Sequence, residues 1–259
     1  MSNYFIRGLL VLLTVCSTIY LSADDLIVGT TSAYAPYVSL NEQGEYVGFD
    51  IDIANELGKK LNRRIVIKDL GSMPALFLAL KQNKVDVLIW AISITAERQK
   101  QMEMIYYQGE KVTSLPLLFW KAFPENVASL NDMANNPKAV IAVEAGSFQE
   151  NFLRSVPGLT LKQVDKVMDA IFEIKYGKST ATMIDPSLLS KYRQQFPELT
   201  ILDVPLPEAE QSFGSGICLN KKNSALIADI RQAVSELRSE GKIDELEKKW
   251  DIVGIPDSS

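Results

Sequence analysis

Short apolar runs alternate along this chain with stretches in which apolar residues recur every three or four positions. Residues 26–30, 65–67 and 85–89 are runs of the first kind and predict buried strands. Ala54, Leu57 and Leu61, then Leu76 and Leu80, share helical faces. Asp50 is expected to cap the first of these helices, and Ser72-Met73-Pro74 to start the second. Thr95 is expected to cap a third, charged helix running to about residue 104. Asn41 to Gly44 reads as a turn. This alternation by residue 105 is the order of an open α/β fold with a mostly parallel sheet.

The rhythm then resumes. Residues 115–120, 140–143 and 181–184 predict strands. Ser147-Phe148-Gln149-Glu150 has the form of a capping box, residues 167–176 predict a helix, and Pro186 suits the first position of another. A last long helix starts near Ser224, with Ile227, Ile230, Val234 and Leu237 as its buried stripe. Ile243, Leu246 and Trp250 continue the pattern beyond Gly241. No Pro/Gly-rich linker separates the two halves, so they are expected to share their connections. Two such lobes leave a cleft at the C-terminal ends of their strands, where open α/β sheets bind ligands.

The first 23 residues depart from this pattern. Arg7 is the only charge before Asp24, and an apolar run over 8–15 continues weakly to Leu21. That is the short-core form of an export signal, expected to be cleaved after Ala23. Leu13-Thr14-Val15-Cys16 partly resembles a lipobox, so a lipid anchor at Cys16 is an alternative, as is a retained anchor.

Composition narrows the chemistry. The 259 residues carry a net charge of −5 and no basic run, which argues against a nucleic-acid partner. There is no histidine, which rules out a Ser–His or Cys–His catalytic pair. Two cysteines, Cys16 and Cys218, are too few for a thiolate zinc cluster. Cys218 reads as a small buried apolar residue.

Several side chains have both a structural and a functional reading. Arg98 in a first helical turn reads as a surface residue. It sits, however, at the end of the helix that favours anions. The N–H groups after Thr95, the Arg98 fork and the Ser93 hydroxyl suit a carboxylate. Asp185 reads as a helix cap or as the acceptor of an ammonium group. Tyr34 and Phe49 read as core aromatics or as a pair covering a ligand side chain, well suited to a guanidinium. Glu144 faces water, pairs with a neighbour such as Lys166, or turns its carboxylate into the cleft.

Taken together, the segments are more specific. Gly29-Thr30, Tyr34, Pro36-Tyr37, Val47-Gly48-Phe49-Asp50-Ile51-Asp52, Ser93-Ile94-Thr95, Glu97-Arg98 and the terminal Gly241 to Trp250 segment follow one another in order. The chain after residue 23 thereby resembles the polar amino-acid-binding family of ABC-transporter solute-binding proteins, the family 3 type. Gly146-Ser147-Phe148-Gln149-Glu150, Tyr176-Gly177-Lys178-Ser179 and Asp185-Pro186-Ser187 are most similar to the chlamydial-type arginine-binding proteins. The resemblance implies a two-lobed periplasmic-binding-protein fold of type II, with chain crossings near 107–112 and 203–212. Lobe one is then 24–108 plus 213–259, and lobe two 109–212. It implies that Arg98 clamps an α-carboxylate, helped by Ser93 and by the helix start at Ser147 and Phe148. Asp185 and the Ala91 carbonyl take the α-ammonium, while Tyr34 and Phe49 cover the side chain. It further implies a monomer in the periplasm that uses no cofactor and hands its ligand to a membrane permease.

The chain departs from the family pattern in several places, including Ala35-Pro36-Tyr37-Val38 and Glu103-Met104-Ile105. Thr31 stands where an acid or amide is frequent, Trp90 precedes Ala91 where glycine is common, and Glu144 replaces a usual Lys or Gln. Glu144, the aromatic pair and the resemblance favour arginine or another basic amino acid. A polar or neutral amino acid such as glutamine is the alternative. A same-fold enzyme, such as a cyclic-acid dehydratase using Glu144 and Asp185 as acid and base, is the second alternative.

Overall fold

A computed structural model describes residues 25–125 and 127–252. The expected export segment and Cys16 lie outside the described residues. The first half opens with strand β1 (Leu26–Thr30), a hairpin of β2 (Ser39–Leu40) and β3 (Tyr46–Val47), helix α1 (Phe49–Leu61) and β4 (Ile65–Asp69). It continues through α2 (Met73–Lys81), β5 (Val87–Leu88), α3 (Ala96–Gln101) and β6 (Glu103–Val112). The second half holds β7 (Ser114–Trp120), α4 (Leu130–Ala134), β8 (Val140–Glu144), α5 (Phe148–Ser155), β9 (Thr160–Val164), α6 (Val167–Lys175) and β10 (Ala181–Met183). A 3₁₀ turn at Pro186–Leu188 leads into α7 (Leu189–Gln195) and β11 (Leu199–Pro205). The chain then returns through β12 (Ser212–Leu219) to α8 (Ser224–Ser239) and α9 (Lys242–Lys249).

Two five-stranded sheets result, ordered β4-β1-β5-β12-β6 and β11-β7-β10-β8-β9. Each has a parallel side, β4-β1-β5 or β10-β8-β9, built from strands joined by helices. Each also has an antiparallel side, where β12 and β6, or β7 and β11, join it. The antiparallel strands are those beside the connections between the halves. The chain leaves the first sheet after Val112 and rejoins it at Ser212, directly opposite in the β6–β12 ladder. The register of that ladder shifts between Phe213 and Gly216. Gly214 lies there at φ +82°, and a Cβ on it would come 2.8 Å from the Gln108 carbonyl oxygen. Only glycine lets the two strands approach so closely.

The apolar runs do what their pattern requires. Leu26, Val28, Val87 and Leu88 are buried beneath α1, α2 and α8, and Leu226, Ile230, Val234 and Leu237 form the inward stripe of α8. Each such side chain contributes about 1.5–3 kcal/mol on burial. The second half has its own cores on the two faces of its sheet, one around Phe119, Ile141, Phe148 and Leu153, the other around Leu118, Ile171, Ile184 and Tyr192.

Two expected helix boundaries need correction. Gly48, at φ +139°, caps α1 in place of Asp50. Asp50 falls inside the first turn, fully buried, because its carboxylate is drawn to two donors across the first half. The third helix ends at Gln101 and not near 104, since Glu103 onward pairs with β12. The strand expected over 85–89 is reduced to two paired residues, its ends bonding as loop to Ile27 and Gly29.

Candidate functional site

Arg98 lies buried where the two halves meet. Thr95 caps α3 by accepting from the Arg98 N–H at 3.2 Å, as its hydroxyl chemistry suggests. The Arg98 side chain is 4% exposed, which corrects its reading as a surface residue. Nη1 donates to the Ser93 carbonyl at 2.8 Å and Nη2 to the Gly146 carbonyl at 3.0 Å. Nη2 also meets the Met73 sulfur at 3.3 Å, and the guanidinium lies 5.4 Å from the Phe77 ring centre. The Nε donor is buried with no partner among the described residues. Arg98 belongs to the first half and Gly146 to the second, so this side chain joins them.

The Gly146 turn is built to present its carbonyl. Ser147 caps α5, accepting from the Glu150 N–H at 3.0 Å, as the capping box predicts. Glu150 reaches one residue further back than the box requires and takes the Gly146 N–H. Gly146 adopts φ +73°, and a Cβ there would stand 3.4 Å from Pro74 at the start of α2. Ser147 and Phe148 are both buried, Phe148 in the second half's core.

Glu144 ends β8 just before that turn and is 7% exposed. Its carboxylate has no hydrogen bond or ion pair among the described residues, and Lys166, the N-cap residue of α6, forms no ion pair with it. Burial, then the Asp185 carboxylate, push its pKa up to about 8, against the pull of Arg98. Asp185 caps the 3₁₀ turn, its Oδ1 accepting from the Ser187 N–H at 2.9 Å and hydroxyl at 2.6 Å. Its structural reading is therefore correct, while Oδ2 has no donor among the described residues.

The aromatic wall differs from expectation. Tyr34 packs against the cores of both halves, with its ring 5.0 Å from Trp90 and 5.7 Å from Tyr37. Trp90 is 3% exposed, and its Nε1 donor is buried without a partner among the described residues. Phe49 is not a cover for the cleft. It is fully buried in the first core, stacked at 6.0 Å on Tyr107 and edge-on to Tyr37, because α1 turns its first residue inward. Met73 and Phe77 on α2 lie against the Arg98 guanidinium. Thr31 is buried on the loop after β1, held by Asp69, which also accepts from the Ser32 and Gly71 N–H groups at 2.9 Å.

Asp50 and Tyr107 were absent from the sequence-based set of site residues. Asp50 accepts from the Ala91 N–H at 2.8 Å and from the Tyr107 hydroxyl at 2.6 Å. Burial raises its pKa to about 7, although both donors oppose the shift. The bond fixes Ala91, which adopts φ +45°, a conformation unfavourable for a residue with a Cβ. Ala91, Ser93, Asp185 and Gln108 line a small cavity of about 50 Å³ between the β6–β12 ladder and the 3₁₀ turn. The motif that could have revealed the clamp is Gly48-Phe49-Asp50, whose acid precedes an apolar face and so faces inward.

Residues 26–252 match the profile of the bacterial extracellular solute-binding proteins, family 3. The chain belongs to that family. Among family 3 relatives it is 34% identical over 231 residues to the probable ABC transporter arginine-binding protein ArtJ of Chlamydia trachomatis, covering 89% of this chain and 87% of that protein. It is 27% identical to the histidine-binding periplasmic protein of Salmonella typhimurium, covering 86% of each. Among solved structures, an ancestral arginine-binding protein bound to arginine superposes with a TM-score of 0.73 at 27% identity, over 88% of this chain and 99% of that one. The family 3 assignment accounts for the two-sheet architecture and for a cleft lined from both halves.

Proposed function

We propose that this chain captures a free amino acid, arginine first, between its two halves and delivers it to a membrane permease. The observation that carries the reading is a set of charges left short of partners on both halves. The buried Arg98 of the first half keeps a free Nε donor, and two carboxylates of the second half, Glu144 and Asp185, have no ion pair among the described residues. A ligand with one carboxylate and two cationic groups complements that arrangement. Arg98 takes the α-carboxylate with its free Nε and the donors it shares with backbone, and the hydroxyl of Ser93 adds to it. Asp185 Oδ2 and the Ala91 carbonyl take the α-ammonium. Glu144 receives the side-chain cation, and Tyr34, Trp90, Thr31 and Met73 enclose the stem. The closing bodies are residues 24–108 with 213–259, and 109–212. The chain works as a monomer outside the cytoplasm, after export directed by residues 1–23.

The test is calorimetric titration of the purified chain with each of the twenty amino acids. Arginine or lysine is expected to bind tightest, and a tight neutral or acidic ligand with no arginine binding would overturn the choice. The carrier reading also expects the ligand to be released unchanged, so its conversion, followed by mass spectrometry, would make the protein an enzyme.

A further inference from the structure

Glu144 is buried, and no group among the described residues donates to its carboxylate. Four ionisable groups act on it through their charge or polarity. Arg98 approaches from α3, but its terminal nitrogens are engaged by the Ser93 and Gly146 carbonyls. Asp185, after β10, adds a like charge. Tyr34, after β1, and Tyr192, on α7, are the other two. Burial and neighbouring carboxylates push Tyr34 well above the usual phenol range, and burial pushes Tyr192 up to about 12. Both therefore remain neutral hydroxyls near neutral pH. A buried carboxylate without donors is held at high cost, and two events relieve it, gain of a proton or arrival of a cation.

We propose that Glu144 sets the class of ligand by its protonation state. Ionised, it receives a guanidinium or ammonium side chain. Protonated, it donates its O–H to the carbonyl of a neutral amide or ureido side chain, such as glutamine or citrulline. The inference rests on the amino-acid-binding reading above and adds to it a proton that competes with the cation. Below the Glu144 transition near pH 8, an arginine that binds must expel that proton. Its affinity therefore climbs with pH by up to about tenfold per unit and levels off above the transition. A neutral ligand behaves in the opposite way, with constant affinity below the transition and loss above it.

The experiment is calorimetry on the wild-type chain with arginine and with glutamine, from pH 5.5 to 8.5, in two buffers of different ionisation enthalpy. About one proton is expected to leave per arginine bound at pH 6.5, with few released at pH 8.5. Glutamine binding is expected to release none at pH 6.5. The isosteric variant Glu144→Gln is expected to bind arginine more weakly at pH 8.5, with no pH slope between 5.5 and 8.5. Arginine affinity that is constant across the range in wild type, without proton release, overturns the proposal. So does a Glu144→Gln variant that keeps the wild-type slope. The proton count is taken on wild type and needs no variant to fold. A wild-type chain that binds no free amino acid at any of these pH values defeats the parent reading itself, which separates the two failures.

Discussion

Arg98 and Glu144 are both buried charges that feel each other across the two halves, yet the protein holds them in opposite ways. Arg98, from the first half, is held by two backbone carbonyls, a thioether and an aromatic face. Glu144, from the second half, has no donor of its own and is shifted toward its neutral form. The difference separates two tasks. A charge held by backbone keeps its place and its sign whether or not ligand is present. A charge held by nothing is defined by what enters, and it is the position at which ligands can be told apart.

The largest expected effect comes from breaking the arginine side of this contrast. Arg98→Ala is expected to weaken amino-acid binding by about 2–5 kcal/mol, roughly 30-fold or more, measured by calorimetry. Affinity within a factor of two of wild type would mean that Arg98 is purely structural. The variant also leaves the Ser93 and Gly146 carbonyls without their donor, a loss of about 1–3 kcal/mol of stability visible in denaturant unfolding.

Glu144→Gln sharpens the other side. The folded Glu144 pKa, about 8, lies above its ordinary value of 4.5, so its stabilising contribution is complete below about pH 4.5 and is lost as pH rises through 8. The ligand-free variant is therefore expected to exceed wild type by about 1–3 kcal/mol at pH 8.5 and to show little advantage at pH 5. Urea unfolding at the two pH values decides it, and a variant less stable at pH 8.5 would show that the carboxylate has a partner. Asp50 tests the same sign in a carboxylate that does have donors. Its folded pKa of about 7 is also raised, and its contribution likewise fades as pH rises through 7. Asp50→Asn cannot accept from both Ala91 and Tyr107, and it is expected to lose about 1–3 kcal/mol at pH 5 and less at pH 8.5. Equal loss at both pH values would exclude titration of Asp50 in this range. The smallest effect belongs to Ser147→Ala, about 1 kcal/mol from the lost cap of α5, read as a lowered melting temperature.

The sequence disclosed the elements with strong periodicity and those with side-chain caps. The bounds of β1 and the caps Thr95, Ser147 and Asp185 follow from local chemistry alone, and they were legible. What was not legible depends on distant partners. The β6 and β12 strands have mixed polarity because one end of their ladder lies in the first core and the other between the halves. Glu103 had no local reason to leave a helix. Phe49 went to the core for a related reason. Helical spacing says which residues share a face, but whether that face looks into a core or a cleft depends on how α1 and α2 are set against the sheet. Asp50 looked like a cap because acids favour helix starts, and its real partners lie 41 and 57 residues away. Within the site, the ends fixed by helix chemistry were readable, while the packing around them was not.

The Arg98–Gly146 bond has a kinetic consequence. It spans the two halves, so any motion that parts them must break it, and its lifetime adds to the time a captured solute stays enclosed.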